Sequence, residues 1–195
     1  MGNETFDEAE VWAACRSGDA ASFGLLFDFH RDRVFGHALR LMRSPHDAED
    51  VTALVFLEAW RRRDAVRVVG GSVIGWLLVT ANYVSRNLIR SRKRHRDSLQ
   101  RLDASTEVAD HADDVDDRLD REPRHAQVRN AFSRLSPRDQ NVITLCVLEE
   151  LTTAEAAHAL GVPVGTVKSR LSRAKRRLAE LTAVGDRALT PGGAL

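Results

Sequence analysis

Lys168, Ser169, Ser172, Arg173 and Arg176 fall at offsets that gather on one face of a helix. Their chemistry is that of recognition. Cationic heads neutralise phosphates. An arginine offers two parallel donors to a guanine edge, and hydroxyls both donate and accept. On the opposite face Val167, Leu171, Ala174, Leu178 and Leu181 recur every three or four residues, so the helix has an apolar back and a basic front. The element before it must fix how that front is presented. Thr152 and Glu155 have capping-box spacing for a preceding helix, whose small residues Ala156 and Ala157 let a second helix approach closely. Gly161 stands where that helix would end with positive φ, and Pro163 suits the first turn of the next. Helix, tight turn and basic helix together form a helix-turn-helix pattern. Taken alone, the basic face would equally be a solvated helix surface.

Composition limits what surrounds this unit. A chain of 195 residues has room for one medium or two small domains, and 43% hydrophobic content is ordinary for a folded protein. Net charge is only +1, so any nucleic-acid surface must come from segregated charge. No apolar run approaches the roughly 20 residues that span a bilayer, and no signal-peptide core opens the chain, so a cytoplasmic protein without membrane insertion is expected. Cys15 and Cys146 stand far apart without ligand partners, which favours idle thiols over a disulfide or zinc site. No nucleotide loop, catalytic triad or metal cluster is evident. Neither enzyme activity, cofactor nor metal is expected.

Taken in order, a short helix is predicted from Asp7 to Ser17, with a break at Gly18. A longer helix follows, with Phe23, Leu26, Phe27, His30, Val34, Ala38 and Leu41 on one face. His30 lies on that stripe and reads as a packed histidine, since no other ligand is in register. Ser44-Pro45 stops this helix. Asp47, Glu49 and Asp50 open the next, where the helix dipole favours acids. Val51, Leu54, Val55, Phe56 and Trp60 follow, and Arg61-Arg62-Arg63 suit its C-terminal end. Gly70-Gly71 breaks the chain. From Val73 to Ile89 a further helix is predicted, and beyond it lies a basic run through Arg90, Arg92, Lys93, Arg94 and Arg96. Cations beside Trp76, Asn82 and Tyr83 suit single-stranded DNA, where aromatics and amides meet unstacked bases. A solvated helix end with Trp76 in the core is the competing reading. Further on, Ser136, Pro137 and Asp139 form a helix start that leads into Val142, Leu145, Cys146 and Leu148. The tail from Gly185 is expected to fray.

The ordered motifs DAEDV…F..AW (from Asp47), GWL…AN…R…R.RKR (from Gly75) and GVPVGTVKSRLSRAKRRL (from Gly161) resemble the extracytoplasmic-function sigma factors of the sigma-70 family. The resemblance implies an all-α chain of two small helical domains. Residues 7–96 would be region 2, residues 97–125 an acidic flexible linker, and residues 126–183 region 4. It implies that Asp47, Glu49, Asp50 and Phe56 contact the β′ clamp of core RNA polymerase. Asn82, Tyr83, Arg86 and Arg90 would hold the melted −10 strand of promoter DNA. The second domain would read the −35 duplex through Lys168, Ser169, Ser172 and Arg173, while its other face touches the β flap. Within that unit Arg173 is the expected base reader, with Arg176 and Arg177 on phosphates. An anti-sigma factor is a candidate partner. Some positions depart from the family pattern: Ala53 and Leu54 stand where Gln-Glu is common, and Asn87 where Asp is usual.

Between the domains, Asp103, Glu107, Asp110, Asp113, Asp114, Asp116, Asp117 and Asp120 occur with few apolar neighbours. Such a stretch cannot bury enough surface to fold alone and reads as a solvated tether. The function expected is promoter-specific initiation with core polymerase. The alternative is a stand-alone helix-turn-helix regulator, which has no need of the acidic helix start or the Trp76–Arg96 stretch.

Overall fold

The computed structural model describes residues 7–42, 44–102 and 123–189. Its regular structure is helical, with one isolated bridge between Val69 and Ser72. The helices are α1 (Glu8–Arg16), α2 (Ala20–Met42), α3 (Pro45–Arg61), α4 (Ile74–Leu102), α5 (Pro123–Ser133), α6 (Pro137–Ile143), α7 (Thr153–Leu160) and α8 (Val164–Leu189). A π-helical turn, Thr144–Leu148, extends α6.

Local chemistry sets most of the helix starts. The Asp7 carboxylate accepts from the Ala9 and Glu10 N–H groups. Ser44 caps α3 with Pro45 in its first turn, and Ser136 with Pro137 does the same for α6. Ser44-Pro45 therefore begins α3 as well as ending α2. Gly70 and Gly71, at φ 59° and 79°, make a tight turn before α4.

Two hydrophobic cores result. The first gathers Trp12, Leu26, Val34, Val51, Val55 and Leu77 from α1 to α4. Glu8 stitches its edge, since Oε1 accepts from His30 Nε2 at 2.7 Å, from Ser72 Oγ at 3.0 Å and from the Val73 N–H at 2.7 Å. Burial pushes the Glu8 carboxyl up, but the bonds from His30 and Val73 outweigh it and leave it below its ordinary value. The second core gathers Leu135, Val142, Leu145, Ala156, Val167 and Ala174 from α5 to α8. Cys15 lies buried in the first core, whereas Cys146 is half-buried against the second.

Two expectations at helix ends differ. The basic run after Ile89 continues α4 to Leu102, past residue 96 where the linker was expected to begin. Arg, Lys, Gln and Leu are strong helix formers, so nothing in the run stops the helix. Helix α8 likewise passes Gly185 and reaches Leu189. The linker acids from Asp103 to Asp120, and residues 190–195, lie outside the described residues.

Candidate nucleic-acid and protein interfaces

The helix-turn-helix follows from its caps. Thr152 Oγ1 accepts from the Glu155 N–H at 3.2 Å, and Glu155 Oε2 accepts from the Thr152 N–H at 2.8 Å, closing the capping box. Glu155 lies below its ordinary value because the Thr152 side chain and N–H both donate to it. Gly161 ends α7 at φ 64°, ψ 40°. Pro163 stands just ahead of α8, and its carbonyl accepts from the Thr166 and Val167 N–H groups. Val167, Ala174 and Leu181 are then buried, with Leu171 and Leu178 packed beside them. Lys168, Ser169, Ser172, Arg173, Arg176 and Arg177 are all exposed. Arg173 Nε donates back to the Ser169 carbonyl at 3.4 Å, and Arg177 lies 3.3 Å from Glu180. The front of α8 is a continuous band of cations and hydroxyls over a packed apolar back.

Helix α3 sorts its residues into two faces. Val51, Val55, Phe56 and Ala59 face the core. Glu49, Asp50, Ala53, Leu54 and Leu57 face outward, with Leu54 41% and Leu57 49% exposed. Leu57 also rims an apolar hollow of about 260 Å³ shared with Ala20, Phe23, Phe56 and Trp60. Two of the residues expected at a partner surface lie elsewhere. Phe56 is only 3% exposed, its ring packed edge-on against Phe27 at 4.7 Å and Phe23 at 6.3 Å. It is one position round from the outer stripe, and aromatic packing claims it for the core. Asp47 is 6% exposed, and both its carboxylate oxygens accept from Arg92 of α4. This fork fixes the start of α3 to the basic end of α4. It also raises the Arg92 pKa, first through those hydrogen bonds. Leu54 is noted in the sequence only as a residue of this helix and a departure from the family pattern, and neither exposed Leu57 nor the pairing of Arg92 is singled out there. The i, i+3 offset from Leu54 to Leu57 was the available signal for the first. Nothing local signals the second, because 45 residues separate the partners.

On α4, Tyr83, Arg86 and Arg90 share a face. Tyr83 is 47% exposed, Arg86 half-buried and Arg90 exposed. Trp76 is partly buried against the first core. Asn82 does not face solvent. It is 1% exposed and fully engaged: its Oδ1 accepts from His37 Nε2 at 2.9 Å, and its Nδ2 donates to Asn141 Oδ1 at 2.9 Å and Thr144 Oγ1 at 3.2 Å. The reason is its place on the inward side of α4, beside buried Leu78, Ala81 and Ser85. His37 is neutral here. Burial drives it down to about 4, which the Asn82 bond partly offsets and Arg40 reinforces. Its Nε2 therefore carries the proton that Asn82 accepts, while buried Nδ1 has no partner. Among the described residues no group of His, Cys, Asp and Glu could hold a metal ion, and no helix is long and apolar enough to cross a membrane.

The sequence matches the family described as Sigma-70 region 2 over residues 26–95 and the one described as Sigma-70, region 4 over residues 125–178. It is similar to the ECF RNA polymerase sigma factor BldN of Streptomyces coelicolor, 30% identical over 176 residues that cover 88% of this chain. The chain spans 64% of BldN's length. It is 32% identical over 163 residues to the ECF RNA polymerase sigma factor SigK of Mycolicibacterium vanbaalenii, with 82% of this chain and 81% of that one covered. Among solved structures it resembles the sigma factor RpoE of Bartonella quintana, crystallised with the anti-sigma factor NepR. That match has a TM-score of 0.50 at 25% identity, over 83% of this chain and 97% of that one.

Proposed function

We propose, from the premise that the chain belongs to the ECF RNA polymerase sigma factors, that it confers promoter specificity on core polymerase and performs no bond chemistry itself. The observation that carries this reading is the pairing, in one chain, of two different surfaces. One is the exposed basic front of α8; the other is an α3 whose outer stripe combines acids with half-exposed leucines. A stand-alone regulator needs only the first.

In this reading the outer stripe of α3, with Glu49, Asp50, Leu54 and Leu57, meets the β′ clamp. Asp47 acts behind it by holding α3 to α4, and Phe56 supports it from the core. Tyr83, Arg86 and Arg90 face the melted −10 strand, with Asn82 joining them when its amide is released. Lys168, Ser169, Ser172 and Arg173 meet base edges of the −35 duplex, and Arg176 and Arg177 meet phosphates. Residues 7–96 and 126–183 then act as the two reading units, in the cytoplasm where polymerase works. The second unit also contacts the β flap. An anti-sigma factor is a further proposed partner, as one was found on the Bartonella protein.

The test is transcription in vitro by core polymerase on a library of promoters randomised at both elements. Transcripts enriched for one −10 and one −35 sequence are expected only when the chain is present. Failure of the chain to bind core polymerase, with duplex DNA binding intact, would overturn the reading in favour of a stand-alone regulator.

A further inference from the structure

Asp50, Leu54, Leu57 and Arg61 follow one another at helical offsets along the outer stripe of α3. One exposed line of the helix thus carries an acid, two leucines and a cation. Beside it Glu49 and Arg62, also exposed, repeat the same order of charge. Arg61 and Arg62 reach back to Glu58, at 3.7 Å and 2.8 Å, yet stay largely open to solvent. Acids at the helix start and cations at its end are what the helix dipole favours.

The stripe is also matched to itself. Leu54 and Leu57 stand equally far from its midpoint, as do Asp50 and Arg61, and Glu49 and Arg62. A second α3 laid antiparallel across it, about a two-fold axis through that midpoint, sets Leu54 of each copy opposite Leu57 of the other. It also sets both acids of each copy opposite both arginines of the other. In such an isologous contact every favourable pair occurs twice. Exposed Ala53, beside the leucines, adds no bulk that would hold the helix axes apart. The apolar hollow that Leu57 rims with Phe23 and Trp60 opens beside the leucine that would face it.

We propose that the outer stripe of α3 is a self-pairing surface whose partner is a second copy of this chain, and that the pair keeps the stripe from core polymerase. The pairing stands on the order of charged and apolar residues alone. The competition rests on the reading of α3 as the clamp-binding helix. A contact of one helix on one helix falls below about 1,200 Å², among transient interfaces. The pair therefore forms as free chain accumulates and dissolves as chains are drawn onto polymerase.

Sedimentation velocity of the full chain over a concentration series should show monomer passing to dimer. Asp50→Arg and Arg61→Asp, each alone, put like charges face to face and should weaken self-association by about tenfold or more. Mixed in equal amounts, the two variants regain opposite charges at both ends of the contact. They should then form a heterodimer as readily as the wild type forms its dimer. If circular dichroism shows that a reversal unfolds the chain, Glu49→Arg mixed with Arg62→Glu decides in the same way. A wild type that stays monomeric, a dimer untouched by the single reversals, or no heterodimer on mixing overturns the self-pairing. Core polymerase added to dimers of donor- and acceptor-labelled chains should abolish energy transfer, as each polymerase takes one chain. Polymerase that binds the dimer intact overturns the competition. The clamp reading fails separately: polymerase would then bind neither dimer nor monomer, and the dimer would remain.

Discussion

His37 makes the first unit sensitive to acid, and the size of the effect follows from its surroundings. In the unfolded chain the imidazole titrates at its ordinary 6.5, whereas in the fold burial lowers it to about 4. Protonation would place a second N–H at Nδ1, which has no acceptor, and would set a charge near Arg40. Between these two values the unfolded chain binds more protons than the folded one, so stability falls as pH falls. Full stability is present above 6.5 and is lost progressively as pH drops toward 4. Between pH 7 and pH 5 the loss from this one group is about 2 kcal/mol. His37→Gln removes the titration, while its amide can still donate to Asn82 Oδ1. Urea unfolding of both proteins at pH 7 and pH 5 checks the argument. Carboxylates such as Glu8 titrate alike in each and cancel in the comparison. The wild type should lose about 2 kcal/mol more than His37→Gln on acidification. Equal losses would show that His37 is not held neutral by burial, and that the proton assignment along the Asn82 chain is wrong.

Two pairs of variants separate roles that look alike in sequence. Asp47→Lys should lower stability by about 1–2 kcal/mol, because it strands Arg92, whose exposed half limits the effect. Asp50→Lys should leave stability within about 0.5 kcal/mol and weaken core-polymerase binding, as measured by denaturation and by a pull-down titration. On α8, Arg173→Ala should relax preference at one or two −35 positions in a selection on randomised duplexes, at about 1–3 kcal/mol of discrimination. Arg176→Ala should weaken all sequences alike and reduce the salt slope by about one unit. If Arg173→Ala keeps the wild-type preference, another side chain reads the base.

The helix-turn-helix is the part of the chain most fully legible from sequence. Its capping box, left-handed glycine and three-or-four spacing act within one or two turns of helix, where neighbours in sequence are neighbours in space. The same holds for the Asp7 and Ser136-Pro137 starts, whereas Ser44-Pro45, which the sequence marks as a stop, also begins α3. Burial on α3 was half legible. Val51, Val55, Phe56 and Ala59 share a face, and that periodicity alone could have moved Phe56 from the partner surface to the core. Asn82 was harder. It too sits on an inward face with Leu78 and Ser85, but a buried amide is stable only with partners for its donor and acceptor. Those partners come from His37, 45 residues before it, and Asn141, 59 residues after it. Asp47 depends in the same way on Arg92. Side-chain type and local spacing therefore determined which helices form and which faces are basic, acidic or apolar. Whether a given polar group on such a face meets solvent, an ion-pair partner or another amide was decided by packing between helices distant in sequence, because hydrogen bonds reach only about 3 Å and the chain must first bring their partners together.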